Sequence, residues 1–221
     1  MRSADILAQA RALLLDFDGP VCSIFAGIPA SVVADQLKQV LIDGGHTEMP
    51  ESVAASADPF DVLRYADALG ENEARYVEAA FTAHEVEAVL SAAPTEGAHD
   101  LIRAWRASSR PVAIVSNNSA PAINAYLDLY GLRASIDIVS ARTKPDTALL
   151  KPSPYLLCQT IAALEVAPAD CVFIGDSLSD IEAAHAADVR SIGFANKPGK
   201  SAKFAVADAV IETVVGLAAV S

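Results

Sequence analysis

Short apolar runs alternate with helix-period segments along most of the chain. Residues 11–18 (Arg-Ala-Leu-Leu-Leu-Asp-Phe-Asp) are apolar over the length of a strand and are stopped by Gly19-Pro20. The absence of polar alternation predicts a strand buried on both faces, as in a parallel sheet. Comparable runs recur at 111–116, 136–140, 171–175 and 190–194, with a weaker one at 209–211. Between them, residues 95–108, 120–130, 154–164 and 177–187 have apolar positions at helical spacing. The first of these has Thr95 as its expected cap and Leu101, Ile102 and Trp105 on its apolar face. Such alternation predicts βαβ units and an α/β fold built on a doubly wound parallel sheet.

One interval breaks the rhythm, because residues 21–92 contain no comparable strand signal. Residues 31–42, 59–69 and 71–92 read as helices instead, the last with Tyr76, Ala80, Phe81, His84 and Val89 expected on one buried stripe. The economical reading is a helical subdomain inserted after the first strand. Residues 1–19 and 93–221 then form the core, and residues 20–92 form the insert. No internal repeat or long polar linker interrupts this division.

Charge narrows the functions this chain can serve. With 16 Lys+Arg against 28 Asp+Glu, the 221 residues have a formal net charge of -12. Nucleic acid and anionic membrane surfaces are not expected partners, since binding either relies on clustered basic side chains. Although 52% of residues are hydrophobic, charges interrupt every run before the 18 or so residues a membrane span needs. Asp5 breaks the first apolar stretch, so no secretory signal is expected there, and a cytoplasmic location is. Cys22, Cys158 and Cys171 are widely spaced and form no C-x-x-C pair, which suggests buried reduced thiols.

Open parallel sheets bind ligands beyond the carboxyl ends of their strands. There the first run delivers Asp16 and Asp18, two residues apart and so able to face one site. The second ends in Ser116-Asn117-Asn118, and the fourth in Gly175-Asp176-Ser177-Leu178-Ser179-Asp180. Lys151-Pro152-Ser153-Pro154 lies in a loop opening a helix. Singly, each has an ordinary explanation: Asp before Gly forms turns, Ser116, Asp176 or Ser177 caps a helix, and Lys151 is solvated. Together they bring three acids to one point, where they repel one another unless a cation holds them.

These four segments, in this order, resemble the motifs of the haloacid dehalogenase-like hydrolase superfamily. The likeness runs from residue 11 to 194 and extends to the helical insert, which resembles the cap of the phosphatases and phosphomutases in that group. It implies a Rossmann-like core with a helical cap, and a Mg²⁺-dependent phosphatase acting on a small-molecule phosphate ester. Asp16 would be the nucleophile that becomes an aspartyl-phosphate, and Asp18 the acid and base. Ser116, Asn117 and Lys151 would bind the phosphoryl group, with Ser116 and Lys151 also stabilising the transition state. Mg²⁺ would be held by the side chains of Asp16 and Asp176 and the backbone carbonyl of Asp18, with Asp180 and Ser177 supporting them. A monomer or homodimer is expected.

Lys144, in Thr-Lys-Pro-Asp, is a rival for the lysine role, but Lys151 fits the third motif better. Pro20 stands where Thr is frequent, and Asp188 where Gly is usual. The first stiffens the entry to the insert. The second is read as a turn residue, since Asp tolerates a left-handed backbone. Substrate choice is expected from residues 21–28 and 57–64, with His46, Arg64, Tyr65 and His84 as candidate contacts. Lys197 and Lys200 lie in a loop that is open to contact with an anionic substrate but is read first as a solvated turn.

Asp18 favours a phosphatase over a haloalkanoate dehalogenase, which protonates no oxygen leaving group. A phosphomutase shares every core residue and stays open. A phospho-accepting signalling module would need neither Asp18 nor the insert. A retired scaffold would lack at least one core group.

Overall fold

The computed structural model describes residues 2–219; residue 1 and residues 220–221, which the sequence assigns to the ends of the core, lie outside them. The chain begins with α1 (Ser3–Gln9), which the sequence reading missed, and enters the sheet at β1 (Ala12–Leu15). It then leaves for the insert through β2 (Cys22–Ser23). This two-residue strand pairs antiparallel with β3 (Ala93–Pro94), so exit and return lie side by side. Two-residue strands have no periodicity to detect, which is why neither was expected.

Between them lie α2 (Ala30–Asp43), α3 (Glu51–Ala54), α4 (Pro59–Leu69) and α5 (Glu71–Val89). The three longer helices fall where the apolar spacing put them. The start of α4 is set by Asp58, whose carboxylate accepts the Phe60 N–H at 2.9 Å, and by Pro59 in the first turn. Val33, Leu37 and Leu41 of α2, Val62 and Leu63 of α4, and Val77 and Phe81 of α5 form an apolar cluster of their own. The expected stripe on α5 needs correcting, because Tyr76 is 70% exposed. The buried line is Ala74, Val77, Phe81, Glu85 and Ala88. One residue is about 100° of helix rotation, so starting the stripe at 76 instead of 77 turns it out of the core.

Returning from the insert, the chain forms α6 (Ala98–Ala107), β4 (Val112–Ser119), α7 (Ala120–Leu129), β5 (Ile138–Arg142) and α8 (Tyr155–Leu164). It finishes with β6 (Cys171–Gly175), α9 (Leu178–Ala186), β7 (Arg190–Phe194) and β8 (Ala209–Ile211). Six strands make one sheet in the order β5-β4-β1-β6-β7-β8, every neighbouring pair parallel. Alternation along the strands sends side chains to two cores. Leu13, Leu15, Ile114 and Ile174 pack with Trp105 of α6 and Tyr126 of α7, while Leu14, Val115 and Phe173 pack with Leu157 of α8 and Ala184 of α9. This is the expected doubly wound α/β architecture. Among the described residues no helix is long and apolar enough to cross a membrane.

Two local expectations fail. Thr95 does not cap α6, where Gly97 holds the cap position with φ 82°; the Thr95 hydroxyl instead donates to the Gly19 carbonyl at 2.5 Å. Cys22 and Cys171 are buried but Cys158 is exposed, because it lies on the solvent face of α8. Asp188 does adopt the left-handed backbone expected of it, with φ 56°.

The chain runs from β1 out to β4 and β5 and comes back to β6 on the other side of β1. Strand order therefore reverses at β1, and the carboxyl ends of β4, β1 and β6 open into one crevice.

Candidate active site

The ends of β1 and β6 are brought together by close backbone approach. Gly19 has φ 108°, and a Cβ there would lie 2.4 Å from Cγ of Asp176. A Cβ at Gly175 would lie 2.3 Å from Cβ of Asp180. Glycine at 19 lets the turns after β1 and β6 meet, and glycine at 175 lets Asp180 fold back over the end of β6.

Asp16 follows β1 directly. Its N–H donates to the Ile174 carbonyl at 2.9 Å, and its Oδ1 accepts the Phe17 N–H at 2.8 Å. Asp18 lies one turn further on, its Oδ1 accepting the Ile24 N–H at 3.1 Å. Ser116 sits at the end of β4, with its hydroxyl donating to Asn118 Oδ1 at 3.1 Å, and it does not cap α7. Asn117 faces the 151 loop: its Oδ1 accepts the Lys151 N–H at 2.8 Å and its Nδ2 donates to the Lys151 carbonyl at 3.1 Å.

Held in this way, the Lys151 ammonium is buried. It lies 2.8 Å from Asp16 Oδ1 and 2.5 Å from Asp180 Oδ1, and it donates to the Val115 carbonyl at 3.1 Å. The other oxygen of Asp180 accepts the N–H groups of Asp176 and Ser177 at 3.0 and 2.9 Å and the Ser177 hydroxyl at 2.7 Å. Ser177 in turn accepts the Asp180 N–H, completing a capping box at the start of α9. Asp180 and Ser177 are thus framework for the lysine and the strand end, as expected. Lys144 is outside this site, 60% exposed and paired with Asp146 at 3.6 Å.

The acids respond to this crowding. Burial, with the nearby Asp180 and Asp176, pushes Asp16 up to about 7 despite the opposing Lys151. Burial pushes Asp18 up to about 6, against the Ile24 N–H that favours its charge and with Asp176 adding to the rise. For Lys151, burial alone lowers proton affinity, but Asp16 and Asp180 outweigh it, so its pKa is raised and it remains an ammonium.

Oxygens of Asp16, Asp176 and Asp180 all lie within 4.8 Å of one another. Asp180 has both oxygens engaged, one by Lys151 and one by the cap, which leaves Asp16 and Asp176 as the side chains suited to a cation. Hard carboxylate oxygens at this spacing fit Mg²⁺. Asp176 Oδ2 holds a cation already, the Lys200 ammonium at 2.6 Å, with Asn196 Nδ2 at 3.2 Å. The loop containing Lys200 was expected to be a solvated turn; it returns to the site because β7 ends beside β6.

Above the strand ends is a cavity of about 200 Å³, and α4 contributes its far wall through Asp58, Phe60 and Arg64. The expected segment 57–64 thus reaches the cavity, and of the four named candidate contacts Arg64 does, while also pairing with Asp61 at 2.7 Å. His46 pairs with Glu73 and His84 with Glu87, and Tyr65 donates to the Glu48 carbonyl. None of these three, and no residue of 21–28, lines the cavity. Sequence reasoning also missed a fully buried ion pair, Glu85 with Arg142, directly behind Asn117 and Asn118. An acid at 85 in the apolar line 77, 81, 88 was the available signal.

Comparison with known proteins agrees with this geometry. A family model described as haloacid dehalogenase-like hydrolase matches residues 10–188. The chain is 28% identical over 122 residues to a bifunctional riboflavin kinase/FMN phosphatase of Arabidopsis thaliana, covering 55% of this chain and 32% of that protein. It is 27% identical over 191 residues to a phosphoglycolate phosphatase of Pseudomonas putida, covering 86% of this chain and 62% of that one. The chain therefore spans between about a third and under two thirds of the length of these curated relatives. The crystal structure of CbbY from Rhodobacter sphaeroides in complex with phosphate superposes with a TM-score of 0.67 at 21% identity, covering 94% of this chain and 96% of that one. With the family model spanning every strand-end motif described above, the chain belongs to the haloacid dehalogenase-like hydrolases.

Proposed function

We propose that the protein is a Mg²⁺-dependent phosphatase that hydrolyses a small-molecule phosphate monoester through an aspartyl-phosphate on Asp16. The observation that carries this reading is the buried Lys151 ammonium 2.8 Å from Asp16, at the point where β1, β4 and β6 end. A nucleophilic carboxylate, a fixed cation and hydroxyl and amide donors then surround one phosphoryl-sized space.

Asp16 attacks phosphorus, splitting one difficult hydrolysis into two displacements. Ser116, through its hydroxyl, and Asn117, through its N–H, receive the phosphoryl oxygens, and Lys151 balances charge on them and on Asp16. Asp18 protonates the leaving oxygen and then takes a proton from the attacking water. A carboxyl held up at about 6 exchanges protons readily near neutral pH, which suits both tasks. Asp16 and Asp176, with the Asp18 carbonyl, would hold Mg²⁺. When bound, the ion supplies the positive charge that lets a carboxylate approach a phosphate dianion.

Residues 20–92 act as the cap over residues 1–19 and 93–221, and the cavity they close suits a small ester. Arg64 is the one basic side chain that the insert presents there, and it would meet a second anionic group on the substrate. Phosphatases of small esters, including a phosphoglycolate phosphatase, are among the relatives, which supports the substrate class. The protein acts in the cytoplasm as a monomer or homodimer, without nucleic-acid or membrane partners.

The test is release of inorganic phosphate from phosphoglycolate, sugar phosphates, nucleoside monophosphates and an aryl phosphate, with Mg²⁺ and with chelator. Mg²⁺-dependent release is expected. A phosphate moved within the sugar instead of released would make the protein a mutase, and no turnover at all would sink the enzymatic reading.

A further inference from the structure

The ladder between β4 and β5 pairs Ser116 with Ala141 and next Ser119 with Arg142, so Asn117 and Asn118 form a bulge that is skipped by the β5 register. Bulges re-aim side chains, and they also free backbone groups that must be satisfied elsewhere when buried. Here two charged residues take up that role. Arg142 Nε donates to the Asn117 carbonyl at 3.2 Å. Glu85 of α5 accepts the Ser119 N–H at 3.0 Å on Oε2 and Asn118 Nδ2 at 2.9 Å on Oε1.

The two hold each other, Arg142 Nη2 lying 2.6 Å from Glu85 Oε2, with both side chains fully buried. A second acid of the same helix, Glu78, takes Arg142 Nη1 at 2.6 Å, and the guanidinium lies 4.5 Å from the centre of the Phe81 ring. From the bulge the connection continues through the Asn117 amide to both backbone groups of Lys151. Neither Glu85 nor Arg142 lines the cavity, so neither touches a reacting atom. Buried ion pairs are poor devices for stability alone, since an apolar pair of similar volume often does as well.

We propose that Glu85 and Arg142 are positioning residues: the pair sets the backbone of the 116–119 bulge, and through it the phosphate-facing groups of Ser116, Asn117 and Lys151, tying them to helix α5 of the insert. This rests on the reading that those groups hold the phosphoryl group. It predicts that disturbing the pair damages oxyanion binding without touching the cation site, whose side-chain ligands Asp16 and Asp176 come from the ends of other strands.

The test compares wild type, Glu85→Gln, Arg142→Lys and Arg142→Met well below their melting temperatures. The readouts are kcat/KM for an aryl phosphate, inhibition by orthovanadate, and Mg²⁺ affinity by calorimetry. Glu85→Gln and Arg142→Met should lose about 10- to 100-fold in kcat/KM and in vanadate affinity, with Mg²⁺ affinity changed less than about twofold. Arg142→Lys, which keeps the charge, should recover part of the loss. Folded variants with wild-type kcat/KM and vanadate affinity would overturn the proposal, as would equal loss of vanadate and Mg²⁺ binding or failure of all three to fold. An inactive wild type would instead overturn the phosphatase reading, and this proposal with it.

Discussion

Lys200 Nζ lies 2.6 Å from Asp176 Oδ2, and the same ammonium donates to Asn196 Oδ1 at 2.9 Å. A cation from the chain itself thus occupies one carboxylate oxygen of Asp176, a proposed Mg²⁺ ligand. Competition for this carboxylate predicts that the proposed Mg²⁺ displaces the lysine, so that part of the ion's affinity is spent on breaking the pair. The Lys200 side chain is 19% exposed, and a partly screened pair of this kind contributes about 1 kcal/mol, or about fivefold in affinity. Lys200→Gln should therefore tighten Mg²⁺ binding by about that factor in calorimetry. Unchanged binding would show that the lysine does not compete with the ion, and weaker binding that it assists it.

Asp16→Asn separates function from stability. Loss of the proposed nucleophile should lower kcat by about 10⁴-fold or more, as for other covalent catalysts. The same change should raise the melting temperature at pH 8 without divalent ions, because the fold disfavours a charged Asp16 through burial and the neighbouring Asp180. Retention of most of the activity would remove Asp16 from the reaction. A fall in melting temperature would mean that the pair with Lys151 outweighs burial.

On the proposed mechanism, Asp18→Asn removes the proton donor but not the nucleophile. Alkyl esters, whose leaving oxygen must be protonated, should lose far more rate than aryl esters with good leaving groups, by about 10²- to 10⁴-fold. A uniform loss across a leaving-group series would assign Asp18 a structural role through its bond to the Ile24 N–H.

These roles fall on residues that were legible because each of them sits where an apolar run stops. Burial on both faces makes a parallel strand a continuous apolar word, so Asp16, Ser116 and Asp176 stand out at its end. Lys151 was legible only through its motif, since nothing in its spacing says that Asn117 will fix its backbone from 34 residues away. Glu85 and Arg142 were not read, because each is an isolated charge until the fold places α5 against the β4 bulge. Tyr76 was misread for the opposite reason: an aromatic residue near an apolar stripe looks buried until the phase of the helix is fixed by its neighbours.

Arg64→Ala tests whether the insert sets specificity. Its guanidinium shares the cavity with Asp16 and Asp18 but lies on α4, and it pairs with the half-exposed Asp61. Esters with a second anionic group should show KM raised about 10-fold, consistent with loss of about 1.4 kcal/mol of binding. An aryl phosphate, which offers no such group, should be affected little. Equal effects on both substrates would place Arg64 in the framework of α4.

The acids at the strand ends also give stability a definite pH dependence. Asp16 and Asp18 titrate at about 7 and about 6 in the folded chain, against 3.8 for an ordinary aspartate. Below pH 4 both states hold these protons and the two groups contribute nothing to the difference. Between pH 4 and 7 the folded chain holds protons that the unfolded chain has released, so stability falls as pH rises and the loss is complete above 7. A divalent ion reverses this, because it favours the charged carboxylates and is bound best where no proton must first leave. In the absence of divalent ions, the melting temperature of wild type relative to an Asp16→Asn, Asp18→Asn double variant should fall steadily from pH 5 to pH 7.5. Mg²⁺ should raise the wild-type melting temperature more at pH 7.5 than at pH 5, and should leave the double variant nearly unmoved at both. A gap between the two proteins that does not change with pH would mean that Lys151 holds Asp16 charged throughout, and that the proton on Asp18 is not kept by burial.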